Sequence, residues 1–278
     1  MKSLVDPYQP LSEPDAFSGK KAGTGLGEIV VFIDGCIETP NILEFAGALA
    51  KEHRARFTGV FMQPAPTVTT AQTFARGKGI QEVIDVRQRE IEEIEAHHRV
   101  LFENTLRRHG VQSGAEWKSL AYLSREVGVY AYYADLVVVM RPEPTDQTAC
   151  LPRLAESLVL TSGRPIIVFP PRSTVSRLRR ILVAWNARPE AIRAVADALP
   201  LLARAEAVEV LVVEDQHRAP GHEQEPGADI ARYLERHGAQ VGYADSHLPE
   251  MQWVIFYYRR LSLSARISWS WAPMVTLT

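Results

Sequence analysis

The sequence has very little cysteine and no long hydrophobic run. Cys36 and Cys150 are its two cysteines, too few for a disulfide framework, so we expect a reducing compartment, the cytoplasm. No run of about 18 apolar residues is present to span a membrane, and the first residues contain no apolar segment of signal-peptide length. The sequence therefore predicts a cytoplasmic protein with no membrane partner.

The sequence also lacks an excess of charge of one sign. Its net charge is −2 over 278 residues, which gives no electrostatic reason to expect nucleic acid as a partner. With 46% hydrophobic and 23% charged residues, the composition is typical of a globular chain. The length suits two domains of ordinary size. From the balanced charge we expect no nucleic-acid partner.

Residues 180–214 have the pattern of a strand, a helix and a second strand. Ile181 to Trp185 is an uninterrupted apolar run, as in a parallel strand covered on both faces. Pro189 begins a helix whose apolar residues recur at steps of three and four, and Val208 to Val213 is the returning strand. The pattern predicts a strand-helix-strand unit of a parallel sheet, with a right-handed crossover.

An earlier stretch repeats this unit. EIVVFIDG at residues 28–35 matches RILVAWNA at an offset of 152, and LRRHGVQ at residues 106–112 matches LERHGAQ at an offset of 128. The difference predicts about 24 extra residues in the first copy, within Pro64 to Asp85. We therefore predict two copies of one α/β domain. The expected boundaries are a flexible leader over 1–27, domains over 28–171 and 180–250, a linker over 172–179 and a tail over 251–278.

The tail breaks the repeat. After Glu250 the second copy should continue with a buried strand like DLVVVM at residues 135–140, but the tail reads MQWVIFYYRRLSLSARISWSWAPMVTLT. Joining the third base of each codon to the first two of the next allows AVGDILLSSAVAERADLLVMGAYGHS, which restores the pattern. We hypothesise a frameshift near Glu250; a naturally divergent tail is the alternative. Loss of the last two strands should leave the edge of the strand Ile181 to Trp185 open.

The sequence shows no arrangement of residues typical of catalysis. It contains no nucleophile with a base, no zinc-ligand spacing and no pair of acids at one sheet edge. His97, His98 and His109 lie on or near a charged helical segment, and we expect them to be solvated rather than metal ligands. We therefore predict neither a catalytic residue nor a metal site.

These features resemble the tandem universal stress proteins, over residues 28–250. The resemblance rests on RILVAWNARPEAIRAV, on LRRHG and LERHG, and on DLVVVM followed by GRPIIVFP. It implies two doubly wound parallel sheets of the adenine-nucleotide alpha hydrolase type, with strand order 3-2-1-4-5 and an incomplete second copy. It also implies that the two domains of the intact parent form a pseudo-dimer, with a homo-oligomer as the alternative assembly. In some members of the family, ATP is bound through the motif Gly-x2-Gly-x9-Gly-Ser/Thr after the fourth strand.

The resemblance places the adenosine side of that site at four positions. These are Asp34 and Asn186, after the first strand of each copy, and Val60 and Val213, at the end of each second strand. From the sequence alone, Asp34 either faces a ligand at the carboxyl edge of the sheet or caps the following helix.

The phosphate side departs from the family pattern. The fourth strand of the first copy is followed by Arg-Pro-Glu-Pro at residues 141–144, without glycine, and the second copy has its glycines only in the shifted frame. We therefore predict a non-enzymatic stress-response or signalling module that acts through protein partners, with ATP binding weak or absent and no cofactor assigned. The alternative is an adenine-nucleotide-binding enzyme with ATP hydrolase activity.

Overall fold

The first half of the chain alternates strands and helices. The computed structural model describes residues 25–35, 38–63, 78–121, 127–141, 154–212 and 226–242, together with the strand backbones at 254–257 and 274–277. The elements of the first half are β1 (Glu28–Ile33), α1 (Thr39–His53), β2 (Arg56–Met62), α2 (Lys78–His109), β3 (Glu116–Leu120), α3 (Val127–Tyr132), β4 (Leu136–Met140), α4 (Leu154–Thr161) and β5 (Ile166–Phe169). Residues 1–24 of the leader predicted over 1–27 lie outside the described part. Its end belongs to the domain instead, because Leu26 is buried and Gly27 N donates to Asp135 Oδ2 at 2.7 Å.

The five strands of the first half form the sheet expected from the resemblance. They pair in parallel in the order β3-β2-β1-β4-β5, so β1 is central. Alternate residues of β1 belong to two hydrophobic clusters: Val31 packs with α1 and α2, whereas Val30 packs with α3 and α4. Every residue of β4 is buried, because helices cover both faces of a parallel sheet. The predicted α/β fold with order 3-2-1-4-5 is confirmed.

The second half contains a partial sheet of the same kind. Its elements are β6 (Arg180–Trp185), α5 (Pro189–Leu202), β7 (Ala207–Val212), α6 (Pro226–Arg236) and β8 (Val241–Gly242). These strands pair in parallel in the order β8-β7-β6. The predicted linker at residues 172–179 forms neither helix nor strand, but Leu178 is buried in the core.

The tail contributes two strands, β9 (Val254–Tyr257) and β10 (Met274–Leu277). β10 pairs antiparallel with β6, and β9 pairs antiparallel with both β10 and β5, which joins all strands into one ten-stranded sheet. The prediction that the edge of β6 is left open is therefore wrong. The unpaired N–H and C=O groups of a central strand can pair with any segment of strand geometry, and the run WVIFYY at residues 253–258 has high strand propensity.

The matched segments LRRHG and LERHG end their helices with the same turn. Val111 N donates to Leu106 O at 3.1 Å, and Ala239 N donates to Leu234 O at 3.1 Å. A glycine at positive φ lies inside each turn, at +70° in the first half and +88° in the second. Glycine adopts this conformation at little steric cost, which explains the shared helix end.

Candidate functional site

The candidate site lies at the carboxyl edge of the first sheet, between β1 and β4. The connection after β1 leads to β2 on one side of it, whereas β4 pairs on the other side. This reversal of strand order leaves a crevice beyond the carboxyl ends of the two strands, where doubly wound sheets bind their ligands. The residues that follow β1 and β4 are therefore the first candidates for ligand contacts.

Asp34 is the first residue after β1 and lies at this reversal. α1 has Glu38, not Asp34, in its N-cap position, so the helix-capping alternative for Asp34 is wrong. Gly35 follows with φ of +77°, and a Cβ placed on it would lie 3.6 Å from Ile94 Cγ2 and 3.9 Å from His98 Cε1. The left-handed glycine turns the chain away from the strand and leaves the Asp34 carboxylate at the edge.

Asn186 occupies the corresponding place after β6. Its Oδ1 accepts a hydrogen bond from Arg188 N at 3.1 Å, so the side chain closes its own turn. Ala187, the counterpart of Gly35, also has positive φ, +59°. The two turns have the same backbone form, but the amide oxygen of Asn186 is already engaged.

The two site positions predicted on second strands are Val60 and Val213, and Val60 does not face the carboxyl edge of the sheet. Val60 is 0% exposed in the core of the first half, so its side chain cannot contact a ligand at the carboxyl edge. Val60 pairs with Phe32, and the equivalent pair in the second half is Leu211 with Ala184. The register thus makes Leu211 the counterpart of Val60, and Val213 lies outside the described residues.

Arg141 is a site residue that the sequence reasoning did not assign. Pairing of Val31 with Val138, extended by three residues, places Arg141 opposite Asp34, just beyond the ends of β1 and β4. Its side chain is exposed, and its backbone N–H donates to Phe169 O at 2.8 Å. The available signal was its position directly after the buried run of β4 at the reversal of strand order. The register therefore places a carboxylate and a guanidinium next to each other at the carboxyl edge, after two neighbouring strands.

Three of the first four residues after β4 have no free backbone N–H. The Arg141 N–H is bonded to Phe169, and Pro142 and Pro144 carry no N–H. Phosphate loops bind their ligand through successive backbone N–H groups, usually contributed by glycines. The first four residues after β4 therefore lack the glycines of such a loop and offer at most one N–H, that of Glu143.

The fold was compared with known proteins. The crystal structure of a universal stress protein from Archaeoglobus fulgidus DSM 4304 aligns with a TM-score of 0.52 and 14% sequence identity, over 78% of this chain and 75% of that chain. The chain has the universal stress protein fold. No protein-family model and no curated protein matches the sequence.

Two further universal stress protein structures align over about half of this chain. One, from Burkholderia pseudomallei, has a TM-score of 0.34 and 17% identity, and covers 51% of this chain and 96% of that chain. The other, a complex with cAMP, has a TM-score of 0.30 and 14% identity, and covers 52% of this chain and 96% of that chain. Likenesses of this size add nothing to the assignment of the site.

The histidines of α2 are not all solvated in this universal stress protein fold. His97 is exposed, as expected, but His98 is buried, stacks on Phe61 at 5.7 Å and donates from Nδ1 to its own helix at Ile94 O. His109 is paired with the Glu44 carboxylate at 2.9 Å. The expectation is wrong for these two because the C-terminal half of α2 packs against α1 and the sheet.

A polar network lies beside this histidine stack. Glu95 accepts hydrogen bonds from Trp117 Nε1 at 3.1 Å and from Ser119 Oγ at 2.7 Å. Gln63 Nε2, directly after β2, donates to Ser119 Oγ at 3.3 Å. These bonds fix α2 against β3 and so fix the helix that contacts Gly35.

His53, at the end of α1, is buried with neither ring nitrogen hydrogen-bonded. Burial, with a smaller contribution from the positive charge of Arg204, lowers the pKa of His53 from 6.5 to about 4. In the described part of the chain, no group of three or more His, Cys, Asp or Glu could hold a metal ion. No helix there is long and apolar enough to cross a membrane.

Proposed function

We propose that this chain is a tandem universal stress protein that works without catalysis, as a stress-response or signalling module in the cytoplasm that acts through protein partners and binds ATP weakly or not at all. The observation that carries the proposal is the segment after β4. Its first N–H is bonded to Phe169, and Pro142 and Pro144 have none. Three of the first four residues after β4 therefore have no free backbone N–H to offer a triphosphate.

The tandem arrangement is supported by the equivalent geometry of the two halves. Phe32 pairs with Val60 in the first half as Ala184 pairs with Leu211 in the second, at the sequence offset of 152 between β1 and β6. The turns after β1 and β6 share a positive φ, and α2 and α6 share their C-terminal turn. Two copies of one domain would explain the shared strand register, the shared turn after the first strand and the shared helix end.

The second candidate function is an adenine-nucleotide-binding enzyme with ATP hydrolase activity. It is favoured by the placement of Asp34 and Arg141 directly after the neighbouring strands β1 and β4. An arginine can bind phosphate oxygens directly, in place of backbone N–H groups, and a carboxylate can accept hydrogen bonds from ribose hydroxyls.

ATP turnover separates these two functions. Purified full chain is incubated with ATP, and ADP and AMP are separated by chromatography. We expect no turnover above that of the Asp34→Ala variant. Turnover that Asp34→Ala and Arg141→Gly both abolish would instead establish the enzyme and place its nucleotide in this crevice.

We also propose that the tail results from a frameshift. The support is that β10 pairs with β6 antiparallel, whereas β4 pairs with β1 in parallel at the equivalent edge of the first half. Sequencing the coding DNA from codon 245 onward tests this. We expect another frame to continue the pattern of a helix and a last apolar strand; a coding sequence with no such frame would show that the tail is native.

A further inference from the structure

The N-terminal part of α2 has no counterpart among the described residues of the second half. α2 has 32 residues and α6 has 11. The C-terminal turn that they share aligns α6 with the last part of α2. The additional part, Lys78–His97, is here called the arm and has a length of about 30 Å. It includes the C-terminal part of the predicted insertion, whereas the described part of α6 begins at Pro226.

The arm extends beyond the carboxyl edge of the sheet. α2 runs opposite to the strands, and its contact with Gly35, just after β1, is made by Ile94 and His98. Residues before Ile94 therefore lie past the end of the strand, and none of the residues 81–94 is buried. Pairs along the helix stabilise it locally: Gln81 with Asp85, Gln88 with Glu92, and Arg87 with Glu90.

The arm presents an apolar stripe among acidic residues. One face of the helix carries the apolar residues Val83, Ile84, Ile91 and Ile94. Toward the C-terminus of α2 the same face carries the buried Phe102. Ile84 is 53% exposed and Ile94 is 37% exposed. Residues 81–97 contain six acidic and two basic side chains, a net charge of −4, compared with −2 for the whole chain.

We propose that the arm is a docking surface for a basic amphipathic helix of a partner protein, one whose apolar face is flanked by lysine or arginine. An amphipathic helix uses its apolar residues to bind the partner's apolar face, and the net charge of −4 attracts flanking cations. A second copy of the arm would bring acidic residues together, which disfavours self-association. This inference rests on the proposed function, because it gives the chemistry of one partner, but its test involves no nucleotide.

The test uses the full chain and a labelled helical peptide of about 16 residues, with leucine at heptad positions a and d and lysine at e and g. Fluorescence anisotropy measures its Kd. We expect the double substitution Ile84→Ser with Ile91→Ser to weaken binding by at least about tenfold. Val100→Ser is the matched control, since Val100 is also 53% exposed but lies outside the stripe, and it should leave the Kd unchanged.

The charge contribution is tested separately. Asp85→Asn with Glu92→Gln alters no apolar residue of the stripe and should weaken binding several-fold, as should raising NaCl from about 50 to about 300 mM. Equal binding of a scrambled peptide, or of one with glutamate in place of lysine, would overturn the proposal.

Other occupants give different outcomes. A wild-type dimer in sedimentation velocity that dissociates on Ile84→Ser with Ile91→Ser would assign the stripe to a second copy of the chain. Binding seen only after residues 64–77 are replaced by a Gly/Ser segment of equal length would assign it to the chain's own preceding segment. Either result would overturn the proposal, and neither bears on whether ATP binds.

Discussion

Gly35 and Ala187 occupy the same position in two copies of one turn, and both have a left-handed backbone, with φ of +77° and +59°. The turn follows the central strand of each half and redirects the chain at the carboxyl edge of the sheet. Glycine adopts this conformation without steric cost, whereas alanine brings its Cβ close to the following carbonyl oxygen. The second copy therefore stores strain that the first does not.

Replacing Ala187 by glycine should stabilise the protein. We expect the free energy of unfolding to rise by about 0.5 to 1 kcal/mol, because relief of the left-handed strain exceeds the greater freedom of glycine in the unfolded chain. Urea denaturation measures the change. Ala203→Gly is the control, since Ala203 has φ of −66° and glycine there should lower stability. A lower stability for Ala187→Gly would show that this turn is not strained.

Gly47 should not tolerate a side chain at the crossing of α1 and α2. A Cβ placed on Gly47 would lie 2.6 Å from Thr105 Cγ2 and 2.9 Å from His109 Cδ2. We expect Gly47→Ala to cost about 1 to 3 kcal/mol of unfolding free energy through overpacking. Adding Thr105→Ser removes the closer methyl group and keeps the hydroxyl that donates to Leu101 O, so it should recover part of the loss. Additive effects of the two substitutions would contradict this packing.

The buried His53 should make stability depend on pH in a defined window. Its pKa is about 4 in the folded chain, below the ordinary 6.5. Between these values the unfolded chain binds a proton that the native chain does not, so stability should fall as pH is lowered from 6.5 to about 4 and then level off. The contribution is at most about 3 kcal/mol.

The control for His53 is its replacement by leucine. His53→Leu removes the titrating ring and breaks no hydrogen bond, since neither ring nitrogen has a partner. Unfolding by urea at several pH values should show a shallower fall in stability for the variant. Parallel curves for the two proteins would mean that His53 takes up a proton equally in the folded and unfolded chains.

The apolar runs predicted the identity of the buried strands, because runs such as that of β4 occur in parallel strands covered on both faces. The order of the strands was implied by the family resemblance. The sequence did not predict the burial of His98 or His53. Burial of a single polar ring depends on which helices pack on it, and this packing follows from long-range topology. The pairing of β10 with β6 was also missed, since two strand-competent segments can pair without any local sequence signal.

The site was predicted only in part. Asp34 lies at the expected edge because an acid directly after a central strand is placed there by the topology. Val60, by contrast, was assigned by resemblance alone, and the pleat turns its side chain into the core. Arg141 needed the register of β1 and β4, which places it opposite Asp34 and cannot be derived without knowing which strands pair.

Calorimetric titration of ATP into the purified full chain tests the proposed function most directly. The absence of glycine and the two prolines directly after β4 predict no saturable binding, or a Kd weaker than about 1 mM, and no change with Asp34→Ala. Saturable binding in the micromolar range that both Asp34→Ala and Arg141→Gly weaken would contradict the proposal and show that the crevice between β1 and β4 holds a nucleotide.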